Sequence, residues 1–187
     1  MAEIKPLGIS GAWVIESNVH GDDRGFFREW FQSERLKDLT SFDFQVKQAN
    51  LSMSNKGVVR GIHYSLSSVG QAKLVTCARG LIWDVVIDIR PNSPTFRKWI
   101  ATELRPESGT SVFISEGLGH AFMALENESV ISYLLSSPYS PKEEFAINPL
   151  DPEINIEWPG TKLSFSARDK AAPFLKDAQL VQTYLAN

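Results

Sequence analysis

Short runs of apolar residues, separated by Gly, Pro, Asn and Ser, recur along the whole chain. A spacing of about 8–12 residues between such runs is typical of antiparallel sandwiches and barrels rather than of alternating strands and helices. We therefore expect an all-β protein that is mostly antiparallel. The predicted strands are residues 11–17, 44–52, 71–77, 81–90, 97–104, 111–114, 120–125 and 129–135.

The clearest predicted strand is 81–90, where two kinds of residue alternate. One parity is apolar and holds Trp83, Val85, Ile87 and Ile89. The other parity includes the charged residues Asp84, Asp88 and Arg90. Period-two alternation predicts a strand with one buried face and one partly polar face. The Pro- and Ser-containing stretch 90–95 then predicts a tight reversal.

Helical signals are few and lie at the periphery. Ser33 is expected to cap a short helix that runs through residue 39, and apolar spacing over 174–184 predicts a C-terminal helical tail within 174–187. The stretch 136–152 is rich in Pro and Ser, which favours a long surface loop able to cover a site.

Composition limits the chain to a few classes of protein. With 187 residues, 43% hydrophobic and 22% charged, the sequence predicts one globular domain over 1–187. A net charge of only −3 supplies no basic field for nucleic acid or an anionic membrane. We expect neither as a partner.

Cys77 is the only cysteine, so the chain has no intramolecular disulfide and no multi-cysteine zinc site. Its apolar strand context favours a buried structural thiol over a nucleophile. The sequence has no apolar run of the length of a signal peptide or membrane span. We therefore expect a cytoplasmic protein.

Histidine is scarce, with residues at positions 20, 63 and 120 only. A jelly-roll metal site uses a His-x-His pair, whereas Tyr64 and Ser65 follow His63, so a protein-bound metal is disfavoured. His63 and His120 can each be a satisfied core residue or a functional one. One functional possibility is a dyad of His63 with the distant Asp169, which would make proton abstraction the leading chemistry.

Two cations flank His63 in the sequence. If strands around Arg60 and Lys73 form a hairpin, both side chains and His63 can converge on one concave surface, where a cation serves a phosphate or an enolate oxygen. The alternative is two solvated cations at a sheet edge. By periodicity alone, Tyr133 is a core or interface aromatic.

Six short blocks follow one another along the chain. They are DRGFFRE at 23–29, RGIHY at 60–64, GQAK at 70–73, DVVIDIR at 84–90 with SPTF at 93–96, GLGHAF at 117–122, and DP at 151–152 with WP at 158–159. In this order and spacing they resemble the dTDP-4-dehydrorhamnose 3,5-epimerase family, from about residue 6 to residue 173.

The resemblance implies a metal-free, cupin-type double-sheet jelly roll with short peripheral helices and no cofactor. It also implies a homodimer in which residues 1–30 of one subunit contribute to the site of the partner. The implied substrate is a dTDP-4-keto-6-deoxyhexose. Its ketone acidifies the hydrogens at ring positions three and five, so that removal from one face and return from the other inverts each carbon.

The resemblance also assigns roles to individual residues. His63 resembles the base, Asp169 the carboxylate that holds its ring, and Tyr133 the acid on the other face. Lys73 resembles the cation that stabilises the enolate. The residues that resemble substrate-binding positions are Arg24, Phe27 and Glu29 of the segment lent to the partner, together with Gln48, Asn50, Arg60, His120 and Tyr139.

Two stretches depart from the family pattern. The block at 117–122 reads GLGHAF where rhamnose enzymes commonly have GFAHGF, and 67–72 also differs. Both variants look more like the secondary-metabolite branch, some of whose members invert one carbon only. A mono-epimerase is therefore the alternative within the family. From other classes, a metal-dependent cupin dioxygenase and a noncatalytic nucleotide-sugar-binding cupin are the rivals.

Overall fold

The computed structural model describes residues 3–180, apart from the side chain of Leu39. Within that range strands dominate, and helices are short. The strands are β1 Glu3–Pro6, β2 Ala12–Glu16, β3 His20–Asp22, β4 Gly25–Phe27, β5 Gln48–Ser54, β6 Val59–Ser65, β7 Lys73–Arg79, β8 Ile82–Ile87, β9 Trp99–Leu104, β10 Thr110–Ile114, β11 Gly119–Ala124, β12 Ser129–Leu135 and β13 Glu144–Ala146. The helices are α1 Ser33–Thr40 and α2 Ala167–Ala171, with a 3₁₀ turn at Leu175–Asp177.

Two antiparallel sheets form the body of the molecule. The six-stranded sheet has the order β1-β2-β10-β7-β12-β5, and the five-stranded sheet has the order β13-β6-β11-β8-β9. Between them lies an apolar core to which Val75 and Ile131 contribute from the first sheet and Val86 and Phe122 from the second. This arrangement confirms the predicted double-sheet jelly roll.

The strands predicted from long apolar runs are confirmed. The structure has strands within or close to all eight predicted ranges, but the strand predicted from residue 44 begins only at Gln48. Phe44 lies before that strand and packs against Phe113 of β10. The three- and four-residue strands β1, β3, β4 and β13 were not predicted, because such short runs carry too little alternation to be recognised. The seven-residue strand β6 was also not among the predicted ranges, and an irregularity in its pairing interrupts its alternation.

The two faces of the segment around β8 are both buried, which corrects the prediction of one buried and one partly polar face. Asp84, Asp88 and Arg90 are 1%, 0% and 5% exposed. The apolar parity faces outward but is covered by the chain after β13, where Ile154 and Leu175 pack on Val85 and its neighbours. The polar parity therefore points into the molecule, where charged side chains need partners.

Asp88 organises the turn that follows β8, as the sequence of 90–95 predicted. Its carboxylate accepts hydrogen bonds from Arg90 Nε (2.9 Å), Arg90 Nη2 (2.8 Å) and the hydroxyls of Ser93 and Thr95. Burial raises the pKa of Asp88, but these donors outweigh burial and hold it below its ordinary value of 3.8. The turn is thus built on an ionised, fully paired carboxylate.

Replacing Asp88 by asparagine should lower the free energy of unfolding by about 3–5 kcal/mol, because it removes the carboxylate from a buried ion pair with Arg90. Urea unfolding at pH 7 measures the loss, and Asp38→Asn in exposed α1 should change stability by less than about 0.5 kcal/mol. A carboxylate with a lowered pKa stabilises the fold above its unfolded pKa and stops doing so as pH falls through its folded pKa. The deficit of the variant should therefore shrink below pH 3.8. An equal deficit at pH 7 and pH 2 would contradict this account.

The helices differ in part from their prediction. Helix α1 begins at Ser33, but its N-cap is Gln32, which makes no side-chain capping bond, so the prediction of Ser33 as the cap is wrong. Ser166 caps α2 instead, by accepting a hydrogen bond from the backbone N–H of Asp169 at 3.0 Å.

The chain after residue 165 lies as a strap over the outer face of the five-stranded sheet. We call residues 166–180 the C-terminal strap. Up to residue 180, the predicted helix is wrong, and the chain forms a single 3₁₀ turn instead. The strap is held against the sheet by the buried Leu175 and by the Tyr64 hydroxyl, which donates to the Gln179 carbonyl at 2.6 Å. Residues 181–187 of the predicted tail lie outside the described residues.

Cys77 is fully buried in β7. This confirms the prediction of a buried thiol, and burial raises its pKa to about 11, which disfavours the reactive thiolate. Within residues 3–180, the structure contains no helix with the length and apolar character that a membrane crossing requires.

Candidate active site

A cavity of about 240 Å³ opens between the two sheets, beside the apolar core. Its walls come from both sheets and from two loops. The lining residues are Asn50, Ser52, Arg60, His63, Gln71, Lys73, His120, Phe122, Tyr133, Leu135, Tyr139, Glu144 and Arg168. Seven of the twelve residues predicted for the site are among them.

His63 and Asp169 form the predicted dyad. His63 Nε2 lies 2.7 Å from Asp169 Oδ1, and the side chains are 36% and 3% exposed respectively. The imidazole thus reaches the cavity while the carboxylate stays behind it. This geometry confirms that the two residues, 106 positions apart in sequence, meet in the fold.

The charge of Asp169 decides which nitrogen of His63 carries the proton. Burial raises the pKa of Asp169, but hydrogen bonds from His63, from the Ser166 hydroxyl and from the Gly61 backbone outweigh burial and lower it. The carboxylate is therefore ionised at neutral pH and accepts the Nε2 proton. On this assignment the neutral ring keeps its lone pair on Nδ1, which is the form that a general base needs.

A bulge in β6 places Arg60 and His63 on the same face. In the pairing with β11, Arg60 lies opposite Phe122 and His63 lies opposite His120. The two residues of β6 are thus three positions apart, whereas their partners in β11 are only two positions apart. Gly61 occupies the bulge with φ of 119°, and a Cβ there would lie 2.6 Å from Ala121 Cβ and the His120 carbonyl oxygen. Glycine is therefore required for the close approach that turns both polar side chains inward.

The predicted hairpin linking Arg60 and Lys73 is wrong, because β6 and β7 belong to different sheets. The predicted convergence is nevertheless correct, since Lys73 faces the same cavity from the opposite wall. Lys73 is 7% exposed, and burial lowers its pKa, with Glu144 and Asp84 partly offsetting that effect. An ammonium held this way attracts negative charge that develops in the cavity.

Tyr133 reaches the cavity from the six-stranded sheet. It pairs with Asn50 of β5 on one side and with Val75 of β7 on the other. His63 lies in the five-stranded sheet. The phenol and the imidazole therefore approach the cavity from opposite walls.

His120 stands next to His63, since the two residues are direct partners in the β6–β11 pairing. Its Nε2 lies 2.6 Å from Asp84 Oδ2, and both side chains are buried. The cavity therefore has a second imidazole–carboxylate pair. Asp84 was not predicted as a site residue, because its face of strand 81–90 was predicted to be partly polar rather than buried.

The predicted polar pair and aromatic form one edge of the site. Gln48 Nε2 donates to Asn50 Oδ1 at 2.9 Å, and the Tyr139 backbone N–H donates to Gln48 Oε1 at 2.8 Å. Tyr139 is 52% exposed and lines the cavity, so its ring is accessible at the entrance. Arg60 is also exposed, and its guanidinium donates to Ser54 and to the Met53 carbonyl.

Four predicted binding residues do not line this cavity: Gln48, which bonds to Asn50 behind its edge, and three residues of the N-terminal segment. Arg24 and Phe27 belong to the β3–β4 hairpin and are largely exposed, and Glu29 follows it. Arg24 pairs with Asp22 of the same hairpin. Their assignment to a partner's site stays a prediction.

Six lining residues were not assigned roles from the sequence: Ser52, Phe122 and Leu135, and a connected group of Gln71, Glu144 and Arg168. Gln71 donates to Glu144 Oε1 at 2.7 Å, and Arg168 donates to the Glu144 carbonyl at 3.0 Å. Glu144 lies in β13, inside the stretch read as a surface loop, so no periodicity indicated its direction. Arg168 could have been found by its position next to Asp169.

The described residues show two further features that bear on the chemistry. No three His, Cys, Asp or Glu side chains among residues 3–180 come together as a metal site requires. A second cavity of about 470 Å³ lies near the loop of residues 65–70, and none of the predicted site residues lines it.

Comparison with known proteins agrees with the geometry. A family profile described as dTDP-4-dehydrorhamnose 3,5-epimerase matches residues 6–177. The chain is similar to a dTDP-4-dehydrorhamnose 3,5-epimerase of Mycolicibacterium smegmatis, with 46% identity over 94% of this chain and 87% of that protein. It is also similar to a dTDP-4-dehydro-6-deoxyglucose 3-epimerase of a Streptomyces species, with 43% identity over 97% of this chain and 94% of that protein.

A solved structure extends the likeness to three dimensions. The crystal structure of NovW, a 4-keto-6-deoxy sugar epimerase from the novobiocin cluster of Streptomyces spheroides, is similar with a TM-score of 0.94 and 43% identity. The match covers 98% of this chain and 94% of that one. The chain therefore belongs to the dTDP-4-dehydrorhamnose 3,5-epimerase family, and it is an isomerase of the epimerase type.

Proposed function

We propose that this protein inverts ring carbons three and five of a dTDP-4-keto-6-deoxyhexose. The observation that supports the proposal best is the placement of the His63–Asp169 dyad and Tyr133 on opposite walls of one cavity. A sugar ring held between those walls presents one face to an imidazole and the other to a phenol. Inversion of a carbon needs that arrangement, since the proton must leave and return on opposite sides.

The reaction begins at a carbon next to the ketone. His63 Nδ1 removes the proton, and the resulting imidazolium is stabilised by the ionised Asp169. The electron pair moves onto the oxygen at position four, forming an enolate beside the Lys73 ammonium. Tyr133 then donates its proton to the same carbon from the other face, and the ketone is restored.

The nucleotide end of the substrate needs a cation and an aromatic surface. Arg60 is exposed at the cavity and can bind the diphosphate, and Tyr139 offers an accessible ring for stacking on thymine. These roles agree with the dTDP-linked sugars in the names of the similar proteins. Asn50 and His120 lie deeper and face the sugar.

Incubation with dTDP-4-keto-6-deoxyglucose in heavy water tests the proposal. NMR of the product should show deuterium at carbons three and five, both with inverted configuration. Label at carbon three alone would identify the mono-epimerase suggested by the similar 3-epimerase of Streptomyces. Binding of the nucleotide sugar without any label would identify a noncatalytic binding protein.

Lys73→Met should make the protein more stable and less active. Burial lowers the pKa of Lys73, which means that the folded state disfavours its charged form. Removing that charge should raise the melting temperature by about 2–5 °C and lower kcat about 100-fold, because the enolate loses its cation. Lys98→Met, at an exposed position, is the matched control and should change neither. A less stable, fully active Lys73→Met enzyme would contradict the role given to this ammonium.

We also propose that the protein is a homodimer in which residues 1–30 of each subunit contribute to the partner's site. Phe26 and Phe27 are 47% and 65% exposed on the β3–β4 hairpin, and Leu51 and Met53 are 69% and 57% exposed on the edge strand β5. Exposed apolar groups of this number are typical of a surface that another molecule covers. Arg28 anchors the hairpin to the same sheet by donating to Thr76 Oγ1 at 2.6 Å.

Mixing two inactive variants tests the exchange of segments between subunits. In a mixed dimer of His63→Asn and Arg24→Ala chains, one site receives an intact base together with an intact partner segment. Random reassortment in a symmetric dimer should therefore restore about a quarter of the wild-type sites. No recovery after the subunits have exchanged would overturn the proposal.

We place the protein in the cytoplasm as a further proposal. The buried, reduced Cys77 supports it, because a lone thiol is usual in a reducing compartment. Fractionation of the producing cells tests it, with a membrane or secreted location as the opposing result.

A further inference from the structure

One block of the sequence plays no part in the chemistry described so far. Asp151 and Pro152 lie more than fifteen residues before the dyad carboxylate, and Asp151 does not line the cavity. Its side chain is nevertheless 3% exposed. A carboxylate buried this deeply is costly unless it is fully hydrogen-bonded, so its partners show what it does.

All three hydrogen bonds to the Asp151 side chain come from backbone N–H groups. Oδ1 accepts from Glu153 at 2.8 Å and from Ile154 at 2.9 Å, which closes the local turn. Oδ2 accepts from Leu175 at 2.6 Å. This last bond joins the turn to the C-terminal strap.

The C-terminal strap carries Asp169, six residues before Leu175. Helix α2, which contains Asp169, has only five residues and cannot hold its own position. Contacts from the chain before it supply that support. Asn148 donates from its side chain to the Lys170 carbonyl at 3.0 Å and from its backbone to the Pro173 carbonyl at 2.9 Å.

We propose that Asp151 is a positioning residue for the epimerisation, an inference that rests on the proposed function. By fixing Leu175, it holds the C-terminal strap so that Asp169 stays 2.7 Å from His63. Asp151 touches neither the substrate cavity nor the dyad. Its effect on the reaction passes through the placement of the Asp169 carboxylate.

Asp151→Asn removes the link selectively. The amide oxygen can still accept from Glu153 and Ile154, but its NH₂ group would face the N–H of Leu175. We expect kcat to fall about 10- to 100-fold, as for a misplaced catalytic group, with KM within about twofold of wild type. Asp177→Asn changes an exposed carboxylate of the same strap and should leave both constants unchanged.

A spectroscopic readout separates positioning from general loss of structure. In protein labelled with ¹⁵N-histidine, the His63 Nε2–H resonance should move upfield or broaden in Asp151→Asn, while the His120 resonance stays in place. An unchanged His63 resonance, or kcat within twofold of wild type in the folded variant, would overturn the proposal.

A second variant decides the matter if Asp151→Asn does not fold. Asn148→Ser removes the bond to the Lys170 carbonyl, while its hydroxyl can still accept from Leu150. A fall in kcat at constant KM supports positioning by this part of the chain, and unchanged kinetics overturns it. Absence of turnover in the wild-type enzyme would overturn the proposed function. In that case the His63 resonance by itself would still show whether Asp151 positions Asp169.

Discussion

Replacing His63 by asparagine should lower kcat about 10⁴-fold, the upper end of the effect of a general base. The asparagine amide is too short to replace Nε2 at Asp169, but the Ser166 hydroxyl and the Gly61 backbone still donate to the buried carboxylate, so the fold should survive. What the variant loses is a group that can take a proton. Deuterium uptake at both ring carbons should disappear together with product formation.

The control for His63→Asn is binding rather than turnover. Calorimetric titration with dTDP should give a Kd within about threefold of wild type, since Arg60 and Tyr139 are unchanged. Retention of rapid deuterium exchange in this variant would show that another group removes the proton. His120, held by Asp84 next to His63, would then be the candidate.

Replacing Tyr133 by phenylalanine should separate exchange from inversion. His63 can still form the enolate and return a deuteron to the face from which the proton left. The rate of formation of inverted product should fall about 10³-fold, because the acid on the other face is gone. Deuterium from the solvent should still enter the unreacted substrate at a rate within about tenfold of wild type.

The Tyr133→Phe result depends on the two-sided geometry, so the ratio of the two rates is the informative quantity. Equal losses of exchange and inversion would mean that the phenol contributes to proton removal. Undiminished inversion would mean that water or another group supplies the second proton. Thermal unfolding checks the variant, which should remain close to wild type because only a hydroxyl is removed.

Apart from β6, the sequence predicted the strands of five or more residues from their apolar runs. Strand β12 was predicted at its observed bounds, and the polar parity around Asp84 and Asp88 was identified. The sequence did not predict that these polar side chains point into the molecule. Whether it faced solvent or the interior depends on the sheet that packs against it, which periodicity within one strand does not contain.

The site was predicted by resemblance more than by pattern. His63 and Asp169 are 106 residues apart, and only the strap that crosses the five-stranded sheet brings them together. The bulge at Gly61 that turns Arg60 and His63 to one face breaks the period on which strand prediction relies. Glu144 was not predicted as a site residue, because its strand has only three residues and shows no alternation.

A crystal structure with a bound dTDP-6-deoxyhexose that lacks the ketone tests the central claim most directly. The account predicts the sugar in the 240 Å³ cavity, with the His63 imidazole and the Tyr133 phenol each about 3–3.5 Å from the ring on opposite faces. The Lys73 ammonium should lie beside the oxygen at position four. A sugar with both side chains on one face, or one seated in the 470 Å³ cavity, would contradict it.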